Sequence, residues 1–203
     1  RSGACGLMET KGYVSKRPIA VFGLDEVGQY TSMYYSAGLG GSLFTCPASG
    51  QAYKMFVHVS LYPGKEVIDY SARCAIYDIN KKFVGKTRIE KCEFSKIPPD
   101  KHGYRRGWFD FKFVPHRPSL VKNAQYWLLF SIDFASQQEI TGRGSDWPEN
   151  NWCAQEGLLF GDPLPETWVP NWCFETWAMA CDMYCMMFLP KESGFGTGHT
   201  KGN

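Results

Sequence analysis

The chain has 203 residues, 44% hydrophobic, 21% charged and 16% aromatic, with 21 glycines; this is enough to bury one sizeable core and excludes a solvated, disordered chain. A net charge of +2 is too mild for the electrostatic footprint of a nucleic-acid binder, and the basic stretch KHGYRRG at 101–107 reads as a solvated loop. The longest apolar run, YWLLFSIDFA, falls short of a bilayer-spanning helix, so no membrane insertion is expected.

Aromatic and glycine enrichment favour strands and turns, and the chain reads as short strands bounded by turn residues. Residues 1–16 form an N-terminal extension, followed by the strand-like SKRPIAVFG, VGQYTSMYYS and GSLFTC. QAYKMFVHVSLY, 51–62, alternates: Tyr53, Met55, Val57, Val59 and Leu61 share one face, and Lys54, His58 and Ser60 the other. SARCAIYD and the segment from Ile79 to Phe94 make two strands around a turn at Asn80, Lys81 and Lys82. WFDFKFV places Phe109, Phe111 and Phe113 opposite Trp108, Asp110 and Lys112, and AQYWLLFSIDFA points Tyr126, Leu128, Phe130, Ile132 and Phe134 inward. A long loop is expected over 136–173, then the strand-like EGLLFG within it, a long aromatic strand at 174–189, and a tail from 190. About nine antiparallel strands without βαβ alternation predict an all-β, two-sheet sandwich in one domain, with a closed barrel or an immunoglobulin-like sandwich as alternatives.

The succession GSLFTC, YKMFVHVSLY, CAIYDINKKFVGKT, GWFDFKF and YWLLF resembles the jelly-roll domains of the galactose-binding-like and carbohydrate-binding-module type over residues of about 22–135. That resemblance implies a jelly-roll sandwich and a role among sugar binders, adhesins and architectural domains, since a fold alone assigns no function. Calcium is a familiar companion of such modules; no DxDxDG-like loop assigns it here.

The eight cysteines, Cys5, Cys46, Cys74, Cys92, Cys153, Cys173, Cys181 and Cys185, are even in number and suggest disulfides formed in an oxidising compartment. Cys74 and Cys92 flank one hairpin and are candidate partners; Cys153 and Cys173 bracket the long loop and would close it. The remaining pairings stay open, because eight cysteines allow about 105 connectivities. CDMYC lacks the CxxC spacing of a zinc knuckle, so no metal site is expected, and with no CxxCH there is no covalent haem. The chain starts at Arg1 without a leader core, which reads as a secreted, extracellular or cell-surface product whose signal peptide has been removed.

No GxSxG, HExxH or P-loop occurs, and Asp69, Asp78, Asp110 and Asp133 read as turn or outward strand residues. The expectation is a non-catalytic protein; were it an enzyme, glycan chemistry would be the first choice. Two roles remain. In one, the chain is a structural subunit that polymerises with copies of itself into a filament, sheath or shell, a coat role included. The tail GFGTGHTKGN cannot bury enough surface to order by itself, whereas a neighbour's sheet edge would supply that burial. In the other, the chain is a carbohydrate-binding module whose Trp147, Trp152 and Trp168 stack on sugar rings while Asp146, Glu149, Asn150 and Asn151 take the hydroxyls. Packing of the same indoles against the sandwich is the competing use.

Overall fold

The computed structural model describes residues 19–27, 33–34, 38–133, 138–140, 142–143, 152–173 and 180–190. Its strands are β1 (Ile19–Gly23), β2 (Met33–Tyr34), β3 (Gly38–Thr45), β4 (Gly50–Leu61), β5 (Tyr70–Asp78), β6 (Phe83–Lys86), β7 (Glu90–Cys92) and β8 (Arg105–Lys112). They continue with β9 (Ser119–Leu120), β10 (Gln125–Ile132), β11 (Gln138–Ile140), β12 (Gly142–Arg143), β13 (Trp152–Glu156), β14 (Trp172–Cys173), β15 (Ala180–Cys181) and β16 (Met183–Phe188). The protein is an antiparallel two-sheet sandwich, as its strand periodicity predicts.

Sheet A is organised by β4, whose one edge pairs with β16 and β11 and whose other pairs with β8 and β9; β1 extends it beyond β16, and β2 beyond β11. Sheet B runs β14-β13-β3-β10-β5, with β6 and β7 sharing the outer edge of β5. The strand alternation then builds the core. Met55, Val57, Val59 and Leu61 of β4, Phe111 of β8 and Met183, Cys185 and Met187 of β16 face Ala72, Cys74 and Ile76 of β5 and Leu128, Phe130 and Ile132 of β10. Phe111 and Phe130 meet edge to face across the sheets at 5.7 Å.

Sheet B carries a second apolar layer on its outer side, where Leu39, Ala75, Tyr77, Trp127, Leu129, Cys153 and Trp168 are buried together. Its cover is the segment from 157 to 171. Trp168 is fully buried against Trp127, at 5.0 Å between rings, and its indole Nε1 donates to the Leu39 carbonyl at 3.3 Å. Tyr77 donates its hydroxyl to Pro165 O at 2.7 Å, and Arg73 donates to Asp162 O at 2.8 Å beneath the Phe160 ring. The Cys153–Cys173 disulfide closes the segment between directly opposed residues of β13 and β14. For this 20-residue separation the chain-entropy model gives about 3 kcal/mol.

Several expectations are corrected. The long loop expected over 136–173 contains β11, β12, β13 and β14. EGLLFG is not a strand: β13 ends at Glu156, and Leu158 and Leu159 lie in the covering segment. The Cys74–Cys92 bridge does not form, because Cys92 stands opposite Tyr70, four residues or roughly 13 Å along β5 from Cys74, well beyond disulfide reach. Cys46, Cys74, Cys92 and Cys185 are all free thiols buried in the core, so the expectation that every cysteine is bridged fails for these four. Cys5, the side chain of Cys181, the head 1–18 and the tail 191–203 lie outside the described residues.

Gly41 of β3 sits between β10 and β13, and a Cβ there would fall on the Leu128 carbonyl oxygen. Only glycine lets these backbones come so close. Trp168→Ala should empty the second layer and cost about 3–5 kcal/mol, and Cys153→Ser with Cys173→Ser about 3 kcal/mol, each read from urea unfolding at neutral pH.

Candidate functional site: an aromatic and charged sheet face

Among the described residues the outer face of sheet A differs from that of sheet B in having its large aromatics half-buried and no second buried apolar layer over them. β4 sends Lys54, Phe56 and His58 to this side, β8 sends Trp108, Asp110 and Lys112, and β16 sends Tyr184, Met186 and Phe188, because each alternates with the core residues named above. Phe56 and Tyr184 are direct cross-strand partners with rings stacked at 4.6 Å and 8°. Trp108 lies across β4 from Tyr184 and meets it edge to face at 5.2 Å. The bulge in the pairing of β4 with β16 turns Tyr53 outward as well, onto Phe188 at 4.4 Å. Tyr53, expected inward by alternation, is therefore on the other face, since one extra residue resets the period.

Charged groups are set into this aromatic surface. Lys54 forms an ion pair with Asp110 at 2.7 Å, and its ammonium lies 5.7 Å from the centroids of both Tyr53 and Phe56. The exposed Arg117 guanidinium stands 5.3 Å from the Tyr53 ring and 5.1 Å from Phe188. Lys112 faces Lys54 directly across the strand pair.

His58 is only 6% exposed, with its ring edge-on to Trp108 at 5.3 Å and its backbone N–H donating to Asp182 O at 3.0 Å. Burial, and then the positive charge of Arg106, hold its imidazole down to about 4. It is neutral at pH 7 and is not poised for proton transfer there. Burial, with the charges of Asp25 and Asp110, raises the Tyr184 phenol, which stays a neutral hydrogen-bonding group.

Of the loop residues expected to bind sugar, Trp168 is corrected: it plugs sheet B and offers no platform. Trp152 is placed by its backbone on β13; its side chain, with Asp146, Trp147, Glu149, Asn150 and Asn151, lies outside the described residues. The carboxylates behave as turn and outward strand groups. Asp69 accepts from Ser95 N and Oγ, Asp78 accepts from Lys82 N in the β5–β6 turn, Asp110 is the outward partner of Lys54, and Asp133 follows β10 in a turn. Among the described residues no three His, Cys, Asp or Glu side chains converge on a cation position. Among them, too, no helix is long and apolar enough to cross a membrane.

The signal for the sheet face lies in the alternation itself. Phe56 interrupts the polar side of YKMFVHVS, and Trp108 heads the polar side of WFDFKF; large aromatics there are surplus to the core. The chain matches no family model and no curated protein.

Stability should depend on pH through His58. Its pKa is lowered on folding, so between 6.5 and about 4 the unfolded chain binds the extra proton and stability falls as pH falls. The loss should total roughly 3 kcal/mol at the acid end of that window. Urea unfolding of the protein and of His58→Gln at pH about 7 and about 4 should show this component absent in the variant.

Proposed function

We propose that the protein is a non-catalytic glycan-binding module that holds a sugar chain on the outer face of sheet A. The observation that carries this reading is the half-buried row of Tyr53, Phe56, Trp108, Tyr184 and Phe188, interleaved with Lys54, Asp110 and Arg117. A pyranose has one apolar C–H face that stacks on an aromatic ring, and equatorial hydroxyls that need charged or amide partners at its rim. This face supplies both on rigid strands, so little ordering entropy is lost on binding. The Cys153–Cys173 disulfide supports an oxidising, extracellular setting, and the resemblance to carbohydrate-binding jelly rolls points the same way.

Trp108→Ala and Tyr184→Ala should each weaken binding about tenfold or more on a glycan array, while Leu159→Ala on the far side of the molecule, where Leu159 is 61% exposed, should leave it unchanged. Absence of any glycan signal from the unaltered protein would overturn the reading.

Assembly with copies of itself is the second reading, favoured by one observation: β1 pairs only with β16 among the described residues, which leaves a five-residue strand with one edge for a neighbour's extended terminus. Size-exclusion chromatography and negative-stain microscopy should then show regular polymers, and a chain truncated at Lys191 should remain folded and monomeric. A solitary full-length chain at all concentrations would end this reading.

A further inference from the structure

The charged groups at one end of the aromatic face define more than a generic sugar platform. Arg117 lies over the Tyr53–Phe188 ring pair, within 5.3 Å of both centroids. Arg117 is exposed, and a guanidinium offers its N–H groups in the fork geometry that matches a carboxylate. Among the described residues it has no acidic partner, the ion pairs there being Lys54–Asp110, Arg88–Glu90, Lys96–Glu93 and Arg106–Asp100. Lys112 has no acidic partner among them either, and it stands directly opposite Lys54. Like charges at directly opposed strand positions are unfavourable. Asp110 neutralises Lys54, which leaves Lys112 opposite it on β8 and Arg117 over the Tyr53–Phe188 pair. A local arrangement that costs stability without serving the core is the mark of a binding site.

We propose that the site selects acidic glycans, with Arg117 receiving the carboxylate of a uronic acid and Lys112 adding a second positive charge, while Phe56, Tyr184 and Trp108 stack on neighbouring rings. The proposal rests on the glycan-binding reading above and narrows it to a substrate class. Uronates fit better than a nucleic acid because the net charge of the chain is only +2, too mild for the electrostatic footprint that a phosphate backbone needs, and because Asp110 already takes up the charge of Lys54 within the surface.

The test is an array carrying oligomers of galacturonate, glucuronate and mannuronate beside their carboxyl-reduced, neutral counterparts, followed by calorimetry on the best pair. The expected result is a preference of about tenfold or more for the acidic member, weakened when NaCl is raised from about 0.05 to about 0.5 M. Arg117→Ala should weaken the acidic member about tenfold more than the neutral one and so remove most of that preference; Arg117→Lys should restore only part of it, since an ammonium lacks the fork. Arg117 is exposed, so both variants should melt with the parent protein. Equal binding of acidic and neutral members would overturn the acidic specificity and leave the glycan reading standing. Loss of both ligands in Arg117→Ala would also overturn it, by making Arg117 a general support of the surface. No binding to any oligomer, acidic or neutral, here or on the broader array, would remove both. Tighter binding of oligothymidylate than of any uronate would overturn it in favour of nucleic acid.

Discussion

Strand β4 is the constraint on which the rest depends. Its edges pair with β8, β9, β11 and β16, so its register decides which side of each neighbour meets the core. One face of β4 must be apolar enough to hold the two sheets together, and Met55, Val57, Val59 and Leu61 do that. The other face is then free of the core and presents Lys54, Phe56 and His58 among the aromatics of β8 and β16. A slip of one residue would exchange the two faces. Fold and site are therefore two readings of a single pairing register.

The two outer faces of the sandwich meet the same problem differently. Sheet B buries its outer aromatics under its own chain, with Trp168 as the plug and the Cys153–Cys173 bridge as the clasp. Sheet A leaves Trp108, Tyr184 and Phe56 half-buried, packed on one another. An aromatic surface that the described residues leave half-buried, studded with paired and unpaired charges, has the composition of a recognition surface. The core, for its part, depends on close packing: four reduced thiols fill it as small apolar groups, and burial raises the thiols of Cys74 and Cys185 well above their ordinary value.

Period-two alternation made the sandwich legible, chiefly in β4, where Met55, Val57, Val59 and Leu61 alternate with Lys54, His58 and Ser60, and in β8, where Phe109 and Phe111 alternate with Asp110 and Lys112. It missed features where two outer faces compete. β10 buries Trp127 and Leu129 as well as Leu128 and Phe130, and the second set belongs to a layer supplied by a segment about thirty residues later, which local pattern does not encode. β13 has no alternation in WCAQE and reads as loop until β3 pairs with it. Cysteine count suggested four bridges, yet pairing needs register, and register places Cys92 against Tyr70. The site was half-visible: Trp108 on a polar strand face is a sequence signal, whereas Arg117 reaches Tyr53 only through the β4 bulge, a tertiary event.

The central claim is that ligand contacts the outer face of sheet A and not the tryptophan-bearing segment that covers sheet B. The most direct measurement follows the tryptophan indole N–H resonances while an array-positive oligosaccharide is titrated into isotope-labelled protein. The account predicts that the Trp108 indole shifts in proportion to binding while the Trp168 indole, fixed on the Leu39 carbonyl, stays where it is. A moving Trp168 with an unmoved Trp108 would contradict it.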